Sequence, residues 1–338
     1  MPGSFYLFGM GSRRKLLYRR GELLDALTGE RLRAWEVADE HVDSGEHCVV
    51  ARLADESVVR LSEDEQAAWL EEGGDRQCLS AGPVQLPRFG GHPHAPLLRA
   101  LHQELLVNLV GGAPTPNLLV YPRPWLRDAA LVAMCLERTN NLALIEPWVG
   151  GLRDPFDRNN GVEEPDNLGQ ALYLASLVSE ASHPLVEAVL RRVGEFGRGR
   201  HILGPTDGAE HPVYQTKWLK LGLRALGLED PYVVPDAFDS YSALFWMDFR
   251  EAHVPGPSFS TEAGERYPYL TWAEAHFHDA APPLHLGSAT YPHTWEAHAS
   301  QADYAQMGRI DPEYVAQRRA APHTWHAAEM FLYLLERG

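Results

Sequence analysis

A chain of 338 residues with 45% hydrophobic side chains can bury one large core or two modest ones, which excludes disorder as its default state. Its formal net charge of -16 repels phosphate backbones and anionic headgroups, so nucleic acid and membrane surfaces are set aside as main partners and neutral ligands remain. Three cysteines, Cys48, Cys78 and Cys135, have neither C-x-x-C spacing nor the density of a disulfide scaffold.

The apolar stretch from Phe5 to Met10 is followed by its basic residues instead of preceded by them, and no small-residue cleavage site comes after it. It is not read as a secretion signal. No uninterrupted apolar run approaches the roughly 18 to 20 residues of a spanning helix, and a cytoplasmic location is expected.

Residues 1–90 read as a small β-rich module and linker. Lys15 to Tyr18, Glu22 to Val37 with a turn at Thr28-Gly29-Glu30, His47 to Leu53 and Ser57 to Leu61 suit short antiparallel strands. Ser62 followed by Glu65 is a capping-box signature and predicts a short helix over 62–72. Gly82 to Ala95, rich in Gly, Pro and His, reads as a linker or a loop lying over the next domain.

From residue 91 onward the period becomes helical. Leu98, Leu101, Leu105 and Leu109 recur at helical spacing and stop at Gly111-Gly112, and similar segments follow at 126–139, 166–181, 184–196, 212–226, 238–252, 268–279, 294–307, 311–319 and 324–336. No fixed solenoid period is evident. The array therefore predicts a mainly α fold, an (α/α)6-toroid-like helical barrel over 91–338, preceded by the small antiparallel β-module.

Polar residues at the helix entrances are the candidates for chemistry. Pro122 and Pro124 hold the approach to one helix extended, with Trp125, Arg127 and Asp128 at its start. An aromatic face with an Arg/Asp pair suits a sugar ring and its hydroxyls, while Asp128 also suits the helix dipole. In the loop Asn159 to Asn167, Glu163, Glu164 and Asp166 are crowded. Mutual repulsion can keep one such carboxyl protonated as a general acid, and Asp166 or Asn167 can equally serve as a cap.

Three segments begin with Thr-Trp and then offer Glu and His: Thr271 to His276, Thr294 to His298 and Thr324 to Glu329. They supply Glu274, His276, His298, His326 and Glu329 as acid/base candidates and Trp272, Trp295 and Trp325 as stacking surfaces. Asp236, Tyr241 and Tyr291 complete the candidate ligand-lining set. His276 and His278 diverge by about 200° on a helix, so no metal site is expected. Gly9-Met-Gly11 lacks the third glycine of a dinucleotide fingerprint, and no cofactor is expected either.

The segment Tyr121 to Ala130 resembles the Trp-x-Arg-Asp helix start of glucoamylase-like and other six-hairpin glycosidases. That resemblance implies a carbohydrate substrate whose non-reducing hydroxyls are bound by Arg127 and Asp128 beside Trp125; the family's Glu-Glu catalytic segment is not found at its later position. The expected function is a carbohydrate-active enzyme, a glycoside hydrolase acting on a small glycoside or oligosaccharide, with Glu164 as acid and Glu274 or Glu329 as base. One alternative is a sugar epimerase, isomerase or lyase using His276, His298 or His326 with Tyr291. A second is a non-catalytic helical scaffold that binds glycan or peptide. The sequence leaves the oligomeric state open.

Overall fold

Nine short strands open the chain and form two antiparallel sheets in sequence order, each strand paired with the next within its sheet. The first holds β1 (Tyr6–Phe8), β2 (Leu16–Arg19), β3 (Glu22–Asp25) and β4 (Arg31–Ala34). The second holds β5 (Val37–Asp43), β6 (Cys48–Leu53), β7 (Val58–Glu63), β8 (Ala67–Glu72) and β9 (Asp75–Ala81). The computed structural model describes residues 5–43, 45–237, 296, 299 and 301–337.

Period-two alternation decides which side chains meet between the sheets. In β7, Val59, Leu61 and Glu63 are buried while Val58 and Arg60 are exposed. Tyr6, Phe8, Leu16, Tyr18 and Leu23 share one core with Val49, Val59, Leu61, Ala68 and Leu70, so the module is a sandwich. Between β2 and β3 the two turn residues, Arg20 and Gly21, have φ of 44° and 81°, the left-handed pair that suits the twist of a two-residue hairpin.

Residues 62–72 are not the helix that Ser62 and Glu65 predict. Asp64 accepts the backbone N–H groups of Gln66 at 2.8 Å and Ala67 at 3.0 Å, which closes a turn between β7 and β8. Pairing of Leu61 with Leu70 then carries Leu70 into the sandwich core, a burial that local capping does not offset.

The helices are α1 (Ala95–Val107), α2 (Leu126–Arg138), α3 (Glu146–Gly151), α4 (Asp166–Val178), α5 (Pro184–Arg192), α6 (Pro212–Ala225), α7 (Met307–Ile310), α8 (Pro312–Ala316) and α9 (Thr324–Arg337). Six small two-residue strands pair off between them: β10 (Leu109–Val110) with β11 (Ala113–Pro114), β12 (Gly197–Arg198) with β13 (His201–Ile202), and likewise β14 (Pro205–Thr206) with β15 (Ala209–Glu210). Gly111 and Gly112, read from sequence as a helix stop, form the turn of the β10–β11 hairpin; α1 has already ended at Asn108, whose side chain donates to Glu104 O at 2.8 Å.

The expected mainly α (α/α)6-toroid-like barrel is therefore overturned. Of the described residues, 36% are helical and 23% lie in strands, and the four- and five-stranded sheets make the fold mixed. Helical periodicity located individual helices well, but it cannot register strands whose partners are distant. Glu296, placed in a helix by the reading of 294–307, instead forms a bridge to Ala320. The segments 238–252 and 268–279 lie outside the described residues.

The chain divides into two compact units, one of Met1–Pro122, Arg138–Leu144 and Gly287–Gly338, the other of Arg123–Glu137 and Ile145–Leu286. The first contains the sandwich, α1 and α9, which pack on each other. In the second, α4 and α6 touch backbone to backbone. A Cβ on Gly169 would lie 2.2 Å from the Trp218 carbonyl carbon, and one on Gly222 would lie 2.6 Å from Leu172 Cβ. Glycine at both positions is what permits that approach, and Gln170 of α4 donates to Tyr214 of α6 at 3.2 Å. Among the described residues no helix is long and apolar enough to cross a membrane.

Candidate functional site

The start of α2 is held by side chains from the loop that precedes α4. Asp157 accepts the Leu126 N–H at 2.8 Å, and Asn159 donates to Pro124 O at 2.7 Å. Arg127 follows directly, and its guanidinium is buried with 2% exposure. Each of its three nitrogens meets a different carboxylate: Nε donates to Asp166 at 3.0 Å, Nη1 to Asp207 at 2.6 Å and Nη2 to Glu164 at 3.2 Å. Three acids thus converge on one guanidinium.

The same acids are fixed by further donors. Asp166, in the first turn of α4, accepts from Gln170 Nε2 and Thr206 Oγ1, both at 3.0 Å. Glu164 accepts from the Asp207 backbone N–H at 2.6 Å and from Asn160 Nδ2 at 3.1 Å, and Asn160 also donates to Asp207 at 2.7 Å. Asp207 is presented by the turn between β14 and β15, where it and Gly208 have φ of 49° and 80°. Its side chain is 38% exposed, whereas those of Glu164 and Asp166 are buried, so Asp207 forms the rim and the other two the floor.

Electrostatics follow from this crowding. Burial pushes the Glu164 carboxyl up; Arg127 opposes that, the neighbouring Asp166 adds to it, and the net direction is upward. Asp157 is also raised by burial, against the N–H groups of Asn159 and Leu126. Glu163 takes no part in the cluster. It is paired with Arg158 at 2.6 Å and Arg192 at 2.5 Å, and those arginines hold its carboxyl below the usual range. A raised acid beside other carboxylates, with one rim group reachable from solvent, can both accept hydrogen bonds from hydroxyls and transfer a proton.

Of the residues singled out in the sequence, Arg127 and Glu164 are brought into direct contact. Asp128 is buried in the first turn of α2 and Trp125 is half-buried at its approach. Asp236 belongs to the same unit but lies exposed in a bend. Trp325, His326 and Glu329 belong to α9 in the other unit, where Glu329 is buried and the rings of Trp325 and His326 stack at 6.1 Å. His326 lies 4.7 Å, ring to ring, from His323, whose Nε2 is 3.5 Å from Glu296 Oε2. Tyr241, Trp272, Glu274, His276, Tyr291, Trp295 and His298 lie outside the described residues.

Asp157 and Asp207 were not among the sequence candidates. Asp207 carried a usable signal, because Asp-Gly is the preferred pair for a two-residue hairpin turn. Asp157 carried none, since its partner is thirty-one residues away. Among the described residues no group of three or more His, Cys, Asp or Glu is placed to hold a metal ion.

No family model, curated protein or solved structure matches this chain. No relative lends the site an activity. Its chemistry rests on its own atoms.

Proposed function

We propose that the Arg127 cluster is the site of a carbohydrate-active enzyme that works on a small glycoside or oligosaccharide by carboxylate acid/base chemistry. The observation that carries this reading is the convergence of Glu164, Asp166 and Asp207 on a single buried guanidinium, with Glu164 raised by burial. Arg127 fixes the acids; the acids and Asn160 address the ligand's hydroxyls. Protonated Glu164 donates to the leaving oxygen, and ionised Asp207 at the rim accepts a proton from water or a hydroxyl. A neutral polyhydroxylated substrate suits both the site and the net charge of -16, which disfavours nucleic acid. A cytoplasmic setting fits the thiols Cys48 and Cys78.

The test is turnover of a panel of aryl glycosides and short oligosaccharides by the full chain and by Glu164→Gln. The variant is expected to lose about a hundredfold or more in kcat, together with the alkaline limb of the pH profile. Unchanged turnover with an unchanged pH profile would overturn the assignment.

A second reading rests on the Glu296, His323 and His326 group, where paired histidines beside a carboxylate suit the proton removal and return of a sugar epimerase, isomerase or lyase. Loss of activity in His326→Ala with activity retained in Glu164→Gln would favour it. A ligand that binds with no turnover would instead favour the non-catalytic scaffold.

A further inference from the structure

We infer that the first unit holds a separate site for the anionic group, phosphate or carboxylate, of a small molecule. The place is a cavity of about 380 Å³ between the β2–β3–β4 sheet and α7, walled by Arg19, Arg31, Arg309 and Glu22 over a floor that includes Leu24 and Ile310. Three arginines stand against one glutamate there, in a chain whose net charge is -16.

The pairing within that wall leaves positive charge over. Arg31 Nη1 is 3.2 Å from Glu22 Oε1, which accounts for one cation. Neither Arg19 nor Arg309 has a carboxylate within ion-pair reach or a side-chain hydrogen bond among the described residues, and Arg19 Nε is buried with no acceptor. In so acidic a chain, acids to pair with are plentiful. Two other cavities of the same unit, of about 470 Å³ and 350 Å³, have walls where carboxylates outnumber arginines. The cavity beside α7 has the opposite sign.

Its walls are held by the fold, not by chance surface rotamers alone. Arg19 faces Glu22 across the Arg20-Gly21 turn, which sets the register of the hairpin, and Gln306 Nε2 donates to Ala26 O and so ties the approach to α7 onto the β3–β4 connection. An anion between Arg19 and Arg309 would accept from both guanidinium groups and compensate the desolvation of Arg19. The volume is at the small end for ligand pockets, which suits a small molecule and not a polymer. This inference is independent of the Glu164 chemistry, and either can fail alone.

The experiment is isothermal titration calorimetry of the full chain at low salt with inorganic phosphate, glucuronate and neutral glucose, repeated on the Arg19→Gln/Arg309→Gln double variant. Saturable binding of phosphate or glucuronate at one site per chain is expected, weakened about tenfold or more in the double variant and reduced by added salt. Which anion binds tells phosphate from carboxylate recognition. Circular dichroism checks that the double variant is folded; if it is not, the exposed Arg309→Gln single variant takes its place. Absence of saturable anion binding at millimolar concentrations, equal binding by the folded variant, or equal binding of glucose overturns the inference.

Discussion

Replacing Arg127 removes the guanidinium that Glu164, Asp166 and Asp207 share, and it leaves two of those carboxylates buried without their cation. Breaking a buried pair in this way costs about 3 to 5 kcal/mol, so Arg127→Gln is expected to lower stability by that order in urea unfolding. The loss depends on pH with a definite sign. Without the guanidinium, which holds it down, the folded-state pKa of the Glu164 carboxyl rises further, and a raised carboxyl favours the folded state at low pH and disfavours it as pH climbs through the folded value. The deficit relative to wild type therefore grows from acid toward neutral pH. A deficit constant across that range would mean that Arg127 acts through packing, not charge. At this scale the sequence supplied Arg127 and Glu164 through local composition, but not that Glu164, Asp166 and Asp207 converge on the Arg127 guanidinium. Asp207 lies eighty residues from Arg127, a separation that no local pattern spans.

At the scale of elements, the contact between α4 and α6 is governed by Gly169 and Gly222. Alanine has the better helix propensity by about 1 kcal/mol, yet a Cβ at Gly169 would collide with rigid backbone at 2.2 Å. Backbone cannot rotate away as a side chain end can. Gly169→Ala is expected to be destabilising by about 1 to 3 kcal/mol or more despite propensity, read as a lower urea midpoint with little change in slope. A midpoint equal to or above wild type would show that the helices separate at no cost. Gln215 of α6 donates to Thr206 at 2.8 Å and Thr206 donates to Asp166 of α4 at 3.0 Å, so the variant should also weaken ligand binding at the site proposed around Arg127. The helix spans were largely legible: the predicted segment 166–181 contains α4, with Leu168, Ala171, Leu172 and Ala175 buried. Residues 62–72 were misread because a capping box and a strand end followed by an Asx turn share the same local spelling.

Over the whole molecule, pH stability of the first unit should be set by charges buried under the β1–β2 connection. Glu63 accepts Gly9 N–H at 2.9 Å, Met10 N–H at 2.6 Å and Arg13 Nη1 at 2.8 Å, and lies 3.2 Å from His47 Nε2. Burial alone would raise its carboxyl, but the neighbouring His47, the Arg13 guanidinium and the Gly9 N–H outweigh it and hold it down to about 2. A depressed carboxyl stabilises the fold above its ordinary 4.5 and loses that contribution as pH falls through about 2. Lys15 donates to Gly9 O and Gly11 O, and burial pulls it to about 7, with Glu63 opposing. Its charged form is penalised in the fold below about 7, so stability rises with pH from there toward its ordinary 10.5. Two measurements separate the groups. Glu63→Gln should cost about 3 to 5 kcal/mol near neutral pH and progressively less under strong acid. Lys15→Met should flatten the rise above pH 7 in urea unfolding; a rise that survives in Lys15→Met would assign it to another group.

The sequence by itself determined the strands β2, β3, β4, β6 and β7, most of the described helices and the acidic character that disfavours polyanions. Each depends on residues within a few positions of one another or on a sum over the chain. Only the tertiary structure decided that the fold is mixed, that residues 62–72 pair as strands, and that Glu164, Asp166 and Asp207 close on Arg127. Strand pairing and charge clustering join residues far apart in the chain, and their energies arise from burial that exists only after those residues meet.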